Sequence, residues 1–124
     1  MILFEQLSEA VIGACIEVHK ELGAGLLESA YCECLAHELM FREIKFRREV
    51  PLPINYKGVL LECGYRLDFV IEDSIVLEIK AIEKLLPVHE AQILTYLKLS
   101  GLRVGLLINF NSAVLRNSII RRVL

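Results

Sequence analysis

Several functional classes are excluded by what the sequence lacks. Nowhere in its 124 residues does it approach the ~20 uncharged apolar residues of a membrane span. Its apolar opening, residues 1–4, is cut by Glu5, so neither a signal peptide nor an anchor is expected and the cytoplasm is the expected compartment. It has no excess of positive charge. A net charge of -2 and a pI near 5.9 argue against a protein that holds nucleic acid through a global positive field, so any polyanion contact must be local. Cys-x-x-Cys spacing is also absent. Cys32 and Cys34 fall two apart in a helical pattern, about 200° around the axis, and cannot share one metal ion. With Cys15 and Cys63 isolated, all four cysteines are expected to be buried thiols.

Hydrophobic residues make up 55% of the chain and charged residues 24%, enough apolar supply for one packed domain and no second folding unit. Leu3, Leu7, Val11, Ala14, Cys15, Val18 and Leu22 recur at helical spacing and predict a helix over about residues 3–20, ended by Gly23-Ala24-Gly25. A second set, from Leu27 to Leu39, predicts a helix over about residues 26–42. From Phe46 the period becomes two, through Val50, Leu52, Ile54 and Tyr56, and Pro51 and Pro53 confine this strand to an edge. Residues 59–63 and 65–71 are expected to form a strand interrupted at Gly64. Further strands are expected over 74–80, 103–109 and 118–123. A third helix is expected over 88–99, with Pro87 in its first turn and Gly101 just beyond its end.

The chemistry concentrates in the hairpin over residues 66–80. Alternation puts Leu67, Phe69, Ile71, Ile75, Leu77 and Ile79 on one core face, and Arg66, Asp68, Glu78 and Lys80 on the other. If Glu72-Asp73-Ser74 is the loop, Asp68 stands opposite Glu78 with Cβ atoms about 5 Å apart. Facing carboxylates are destabilising unless a cation lies between them. Hard oxygen donors with no His or Cys nearby suit Mg²⁺ or Mn²⁺, and the Ile79 carbonyl offers a third oxygen. Lys80 reaches the same face, placed to orient a water or to stabilise charge on a phosphate. Glu-x-Lys by itself is weak, since about one such triplet is expected by chance, and Glu43-Ile44-Lys45 is a second copy without an upstream aspartate. A solvated sheet face with cross-strand ion pairs is the competing explanation of Asp68, Glu78 and Lys80.

Asp68 followed by Glu78-Ile79-Lys80 resembles the PD-(D/E)xK nuclease superfamily, with Leu67 at the position of its usual proline. Gln92 and Tyr96, a Gln-x-x-x-Tyr one helical turn apart, resemble the added motif of its RecB-like branch. Gly25-Leu26-Leu27-Glu28-Ser29-Ala30-Tyr31 spells Gly-x-x-Glu-x-x-Tyr, the string that names the GxxExxY family placed in the same superfamily. The resemblance covers nearly the whole chain. It implies an α/β restriction-endonuclease-like core, with a central mixed β-sheet flanked by helices, in a single domain over residues 1–124. It also implies a Mg²⁺- or Mn²⁺-dependent nuclease with Asp68, Glu78 and Lys80 as its catalytic core, Glu28 as an additional acid, and Gln92 and Tyr96 in support.

Each imported residue also has a plain explanation. Glu28 suits the first turn of any helix, and Gln92 and Tyr96 suit a packed pair on one helical face. His19, His37, His89 and Glu90 are expected to serve helix ends rather than a metal. Arg42, Lys45, Arg47 and Arg48, with Arg103, Arg116, Arg121 and Arg122, are candidate phosphate contacts, although such charge clusters are usually solvated. The expected partner is nucleic acid, DNA favoured over RNA. A core of this size buries little surface against a duplex, so a homodimer or a partner protein is expected too, through the Pro-bearing edge strand or the first helix. A non-catalytic binding or interaction module, or a subunit of a larger repair or defence complex, is the alternative from another class.

Overall fold

A computed structural model describes residues 4–124 of the chain. Its elements, in chain order, are α1 (Glu5–Leu22), α2 (Glu28–Phe41), β1 (Phe46–Pro51), β2 (Ile54–Tyr56), β3 (Val59–Leu61), β4 (Arg66–Ile71), β5 (Ile75–Lys80), α3 (Pro87–Ser100), β6 (Val104–Asn109), a 3₁₀ turn (Leu115–Ser118) and β7 (Ile119–Val123). Leu3, where the first helix was expected to begin, lies outside the described residues. The 3₁₀ turn has no counterpart in the sequence expectation.

Five strands form one mixed sheet in the order β1-β4-β5-β6-β7. Only β5 and β6 run parallel, because α3 carries the chain back between them, and the other neighbours are antiparallel. Helices α1 and α2 cover one face, where Val11, Cys15, Leu35 and Leu39 meet Phe69, Ile71, Leu77 and Ile108. Helix α3 covers the other, where Ile93, Tyr96 and Leu97 meet Leu67, Val70 and Val76. Burial on both faces accounts for the apolar runs over residues 75–77 of β5 and 104–108 of β6. Gly105 in β6 admits α3 closely: a Cβ there would stand 2.8 Å from Ile93 Cγ1.

Four expectations need correction. The single strand predicted from Phe46 to Tyr56 divides: β1 is an edge of the main sheet, while β2 pairs with β3 in a separate two-stranded ribbon. Pro51 and Pro53 flank the break, where a ladder lacking two N–H donors cannot continue. The interrupted strand around Gly64 likewise becomes β3 and β4 in different sheets, with Gly64 at φ 82° between them. Leu67 does not share a face with Phe69 and Ile71 but packs on the α3 side beside Val70. The cause lies across the ladder, where Glu49 takes φ 51° between the paired Arg48–Phe69 and Val50–Leu67, and a left-handed residue there breaks strict alternation. Finally, Cys15 and Cys32 are buried but Cys34 and Cys63 are exposed. Cys34 is turned away from the core by the same 200° that separates it from Cys32, and Cys63 lies in the loop before β4.

Candidate active site

The β4–β5 hairpin turns through Glu72 and Asp73, at φ 48° and 52°, with the Ser74 N–H donating to the Ile71 carbonyl at 2.9 Å. The pairs Phe69–Leu77, Val70–Val76 and Ile71–Ile75 set the register that the sequence spacing predicts. One step further brings Asp68 opposite Glu78, and there the regular ladder ends. Asp68 Oδ2 instead accepts the Ile79 N–H at 2.8 Å.

On the other side of β5, the Phe110 N–H donates to the Lys80 carbonyl at 2.8 Å. That bond fixes the phase of the parallel ladder: Lys80 turns its backbone to β6, so Ile79 turns its N–H and C=O towards β4 and Asp68. The Ile79 carbonyl therefore points to the side on which the acidic pair stands.

Glu78 is only 4% exposed, and among the described residues its Oε1 has no hydrogen-bond partner. Burial, then a shared hydrogen bond with Asp68, then the Asp68 charge push its carboxyl up to about 10, against the opposing pull of the Lys80 ammonium. At neutral pH the Glu78 carboxyl therefore keeps its proton. A solvated sheet face does not describe this site. Glu28, first residue of α2, has its carboxyl raised by burial and by Asp68 and lowered by Lys80, so all three groups act on one another.

The Gly25, Glu28 and Tyr31 string has a structural basis. Gly25 takes φ 97°, which a side chain rarely tolerates. Tyr31 donates its hydroxyl to the Gly23 carbonyl at 2.6 Å and accepts the Leu26 N–H at 3.2 Å, while its ring stacks on Phe110 at 4.7 Å. The hinge is thus pinned to the core, and the start of α2 is fixed with Glu28 beside Asp68. Glu28, Cys32, Glu33, Arg48 and Asp68 line a groove of about 370 Å³ there.

Tyr96 and Gln92 approach from α3. Tyr96 is 9% exposed, and burial followed by the charges of Glu78, Tyr65 and Asp68 pushes its phenol up to about 12. Gln92 lines a second groove beside Tyr96, and among the described residues no hydrogen bond ties it to Asp68, Glu78 or Lys80. The decoy Glu43 sits in the turn after α2 at φ 58°.

Other expected candidates are committed elsewhere. His19 Nε2 bonds the Ser112 carbonyl at 2.7 Å, His37 meets Phe41 edge-on, and His89 Nδ1 accepts the Leu86 N–H at 2.9 Å at the start of α3. Arg42, Arg47 and Arg48 pair with Glu38, Asp73 and Glu33 at 2.7 to 2.9 Å, and Arg122 pairs with Glu90. Tyr65 and Asn109 escaped the sequence analysis, and Arg48, expected there only as a phosphate contact, has a structural contact as well. Arg48 holds its guanidinium 5.3 Å above the Phe69 ring, and its buried Nε has no hydrogen-bond partner among the described residues. Tyr65 meets Tyr96. Asn109, 3% exposed and paired with Lys80 across β5 and β6, accepts the Ile82 N–H at 3.1 Å and donates to the Ile82 carbonyl at 3.0 Å. It clamps the chain just past Lys80; an amide closing an otherwise apolar strand was the signal available.

Among the described residues no three His, Cys, Asp or Glu side chains gather into a metal cage. Two carboxylates fit Mg²⁺ or Mn²⁺ nonetheless, because such ions keep several waters and need only one or two protein carboxylates. The buried, unpartnered Glu78 Oε1 is the particular observation in favour, since a buried oxygen of that kind is costly unless something completes it.

A mixed sheet flanked by helices, with an acid pair and a lysine at the point where two strands part, is consistent with a restriction-endonuclease-like domain. The chain matches the family model of the PD-(D/E)XK nuclease superfamily over residues 5–123, and it belongs to that superfamily. No curated protein and no solved structure gave a significant match.

Proposed function

We propose that the protein is a divalent-metal-dependent nuclease that hydrolyses phosphodiester bonds, with DNA favoured over RNA, and that it sits within the GxxExxY group near the RecB-like branch. The observation that carries this reading is the buried Glu78 carboxyl with an unpartnered oxygen opposite Asp68. A purely binding module has no use for a carboxylate pair that costs stability.

Asp68 and Glu78 would hold Mg²⁺ or Mn²⁺, with the Ile79 carbonyl as a further oxygen. The ion, when bound, supplies Lewis-acid stabilisation of the phosphoryl charge and an activated water. Lys80 holds its positive charge at the reacting phosphate, where charge develops in the transition state. Glu28, within electrostatic reach of Asp68 and Lys80, is the remaining carboxyl placed to take up a proton. Tyr96 screens the pair from solvent on the α3 side, and Gln92 lies a helical turn away on the same groove. The protein acts in the cytoplasm, as a homodimer or with a partner protein that enlarges its contact with nucleic acid.

The test is cleavage of single-stranded DNA, duplex DNA and RNA in EDTA, Mg²⁺ and Mn²⁺. Metal-dependent cleavage that Asp68→Asn and Lys80→Met abolish supports the reading. Cleavage untouched by either substitution refutes it.

A further inference from the structure

A second groove, of about 350 Å³, lies between β2 and α3, and none of its lining side chains is charged. Tyr65 and Tyr96 form one wall, their rings edge-on with centroids 6.3 Å apart. Val88 and Ala91 add apolar surface, while Gln92 and Thr95 bring an amide and a hydroxyl. Tyr65 precedes Asp68 by three residues, its carbonyl held by the Leu52 N–H at 2.9 Å, and the Tyr96 phenol feels the charges of Glu78 and Asp68.

We propose that this groove seats one unstacked nucleobase of a single-stranded polynucleotide, next to the phosphodiester at Asp68, with Tyr65 as the stacking platform. The neighbouring phosphate rests on the nuclease reading; the base seat does not. An uncharged lining cannot compensate a phosphate, whereas a nucleobase offers a flat π-face to a phenol and polar edges to an amide and a hydroxyl. Tyr65 is the platform because it is 44% exposed, while Tyr96 is 9% exposed and packed into the core. A base inside a duplex must first leave its stack to reach such a seat. The preferred substrate class is therefore single-stranded, or a frayed end.

Fluorescence anisotropy tests this with labelled strands of one sequence and length: single-stranded DNA, single-stranded RNA, blunt duplex DNA and a fully abasic sugar-phosphate strand. Binding is read in millimolar Ca²⁺, a hard oxygen-seeking cation, with strand integrity checked on a gel. Wild-type protein should bind the single strands at least about tenfold more tightly than the duplex or the abasic strand, the order of one base–aromatic stack. Tyr65→Ala should lose about the same factor, Tyr65→Phe should keep the affinity, and Tyr56→Ala, outside the groove, should match wild type. Equal binding of the abasic strand overturns the proposal, as does a folded Tyr65→Ala with wild-type affinity, or no binding of any strand. The abasic comparison uses wild-type protein and so survives a variant that does not fold. Tyr65-dependent binding without cleavage in Mg²⁺ or Mn²⁺ would leave the seat standing and sink the nuclease reading. Cleavage indifferent to Tyr65 and to strandedness would do the reverse.

Discussion

Asp68 Oδ2 stands 2.8 Å from the Ile79 nitrogen, so a side-chain carboxylate takes the place of a backbone acceptor where β4 and β5 part. The bond fixes the carboxylate against the strand that carries Glu78 and Lys80. A charged acceptor on a backbone N–H is stronger than a neutral one, and it leaves the other Asp68 oxygen to face the site. One hydrogen bond thus joins the end of a ladder to the geometry of the candidate metal ligands.

The proton held by Glu78 makes stability depend on pH. The Glu78 carboxyl titrates near 10 in the folded protein, against 4.5 as its ordinary value. Between those limits the native state binds more protons than the unfolded chain, so its stabilising contribution is complete below about 4.5 and is lost as pH rises towards 10. Without metal, the unfolding midpoint should therefore fall as pH is raised from 6 to 9. Asp68→Asn removes the charge and hydrogen bond that add to the larger effect of burial, and should make that slope shallower without abolishing it. Urea titrations across the series measure both, and a wild-type midpoint that climbs with pH over this range contradicts the assignment.

Metal should act in the opposite direction. An ion that binds only the folded state stabilises it by mass action, by about 2.7 kcal/mol at a hundred times its dissociation constant. Millimolar Mg²⁺ or Mn²⁺ should raise the melting midpoint, and more so at pH 8.5 than at pH 6, because the ion must displace the Glu78 proton. Asp68→Asn should abolish the rise.

The sequence made the register of this hairpin legible, because a three-residue loop and period-two strands leave one pairing for Asp68. It also indicated α1, α2 and α3, whose apolar spacing is a local signal, as are the glycines that end α1 and α3. Leu67 was misplaced because its face depends on the left-handed Glu49 of a different strand, a relationship alternation within β4 cannot report. The β2–β3 ribbon was missed for a similar reason: Val50 to Tyr56 alternates without a break, and only the pairing partners reveal two sheets. Gln92 and Tyr96 illustrate the limit for the site. Their spacing put them on one helical face, but which of the two comes within reach of the acids depended on how α3 sits against the sheet.

That seating rests on Gly105. With its would-be Cβ 2.8 Å from Ile93 Cγ1 and 3.3 Å from Leu97 Cδ1, Gly105→Ala should lift α3 and destabilise the fold by about 1–3 kcal/mol. The companion change Ile93→Val should recover part of the loss by withdrawing a methyl group from the contact. Denaturant midpoints of the two single variants and the double variant measure the coupling, and strict additivity would show that the two residues do not press on each other.

Asn109 offers a test of positioning beyond the ligands. Asn109→Ala leaves the Ile82 N–H without its side-chain acceptor, while the Ile82 carbonyl keeps the Asn111 amide at 3.2 Å, at a cost of about 1–3 kcal/mol. Because the clamp lies just past Lys80 and not on the carboxylates, cleavage should fall by more than tenfold while Mn²⁺ affinity changes by less than about threefold. Calorimetry alongside a cleavage assay separates the two, and an equal loss in both would mark Asn109 as a merely structural residue.

The final prediction separates the groups that hold the ion from the group that works on the phosphate. Asp68→Asn and Lys80→Met should both abolish cleavage, but only the first removes an oxygen ligand together with its charge. Removing the Lys80 ammonium relieves repulsion on the metal and on the competing proton alike, so Mn²⁺ affinity in Lys80→Met should stay within about threefold of wild type or become tighter. Asp68→Asn should bind Mn²⁺ far more weakly. Glu43→Gln and Lys45→Met, at the second Glu-x-Lys triplet, should alter neither binding nor cleavage, since the turn after α2 presents Glu43 without an opposing aspartate. Calorimetry and cleavage on the four variants decide the matter. Loss of activity at Glu43 or Lys45 with activity retained in Lys80→Met would move the catalytic site away from the β4–β5 hairpin altogether.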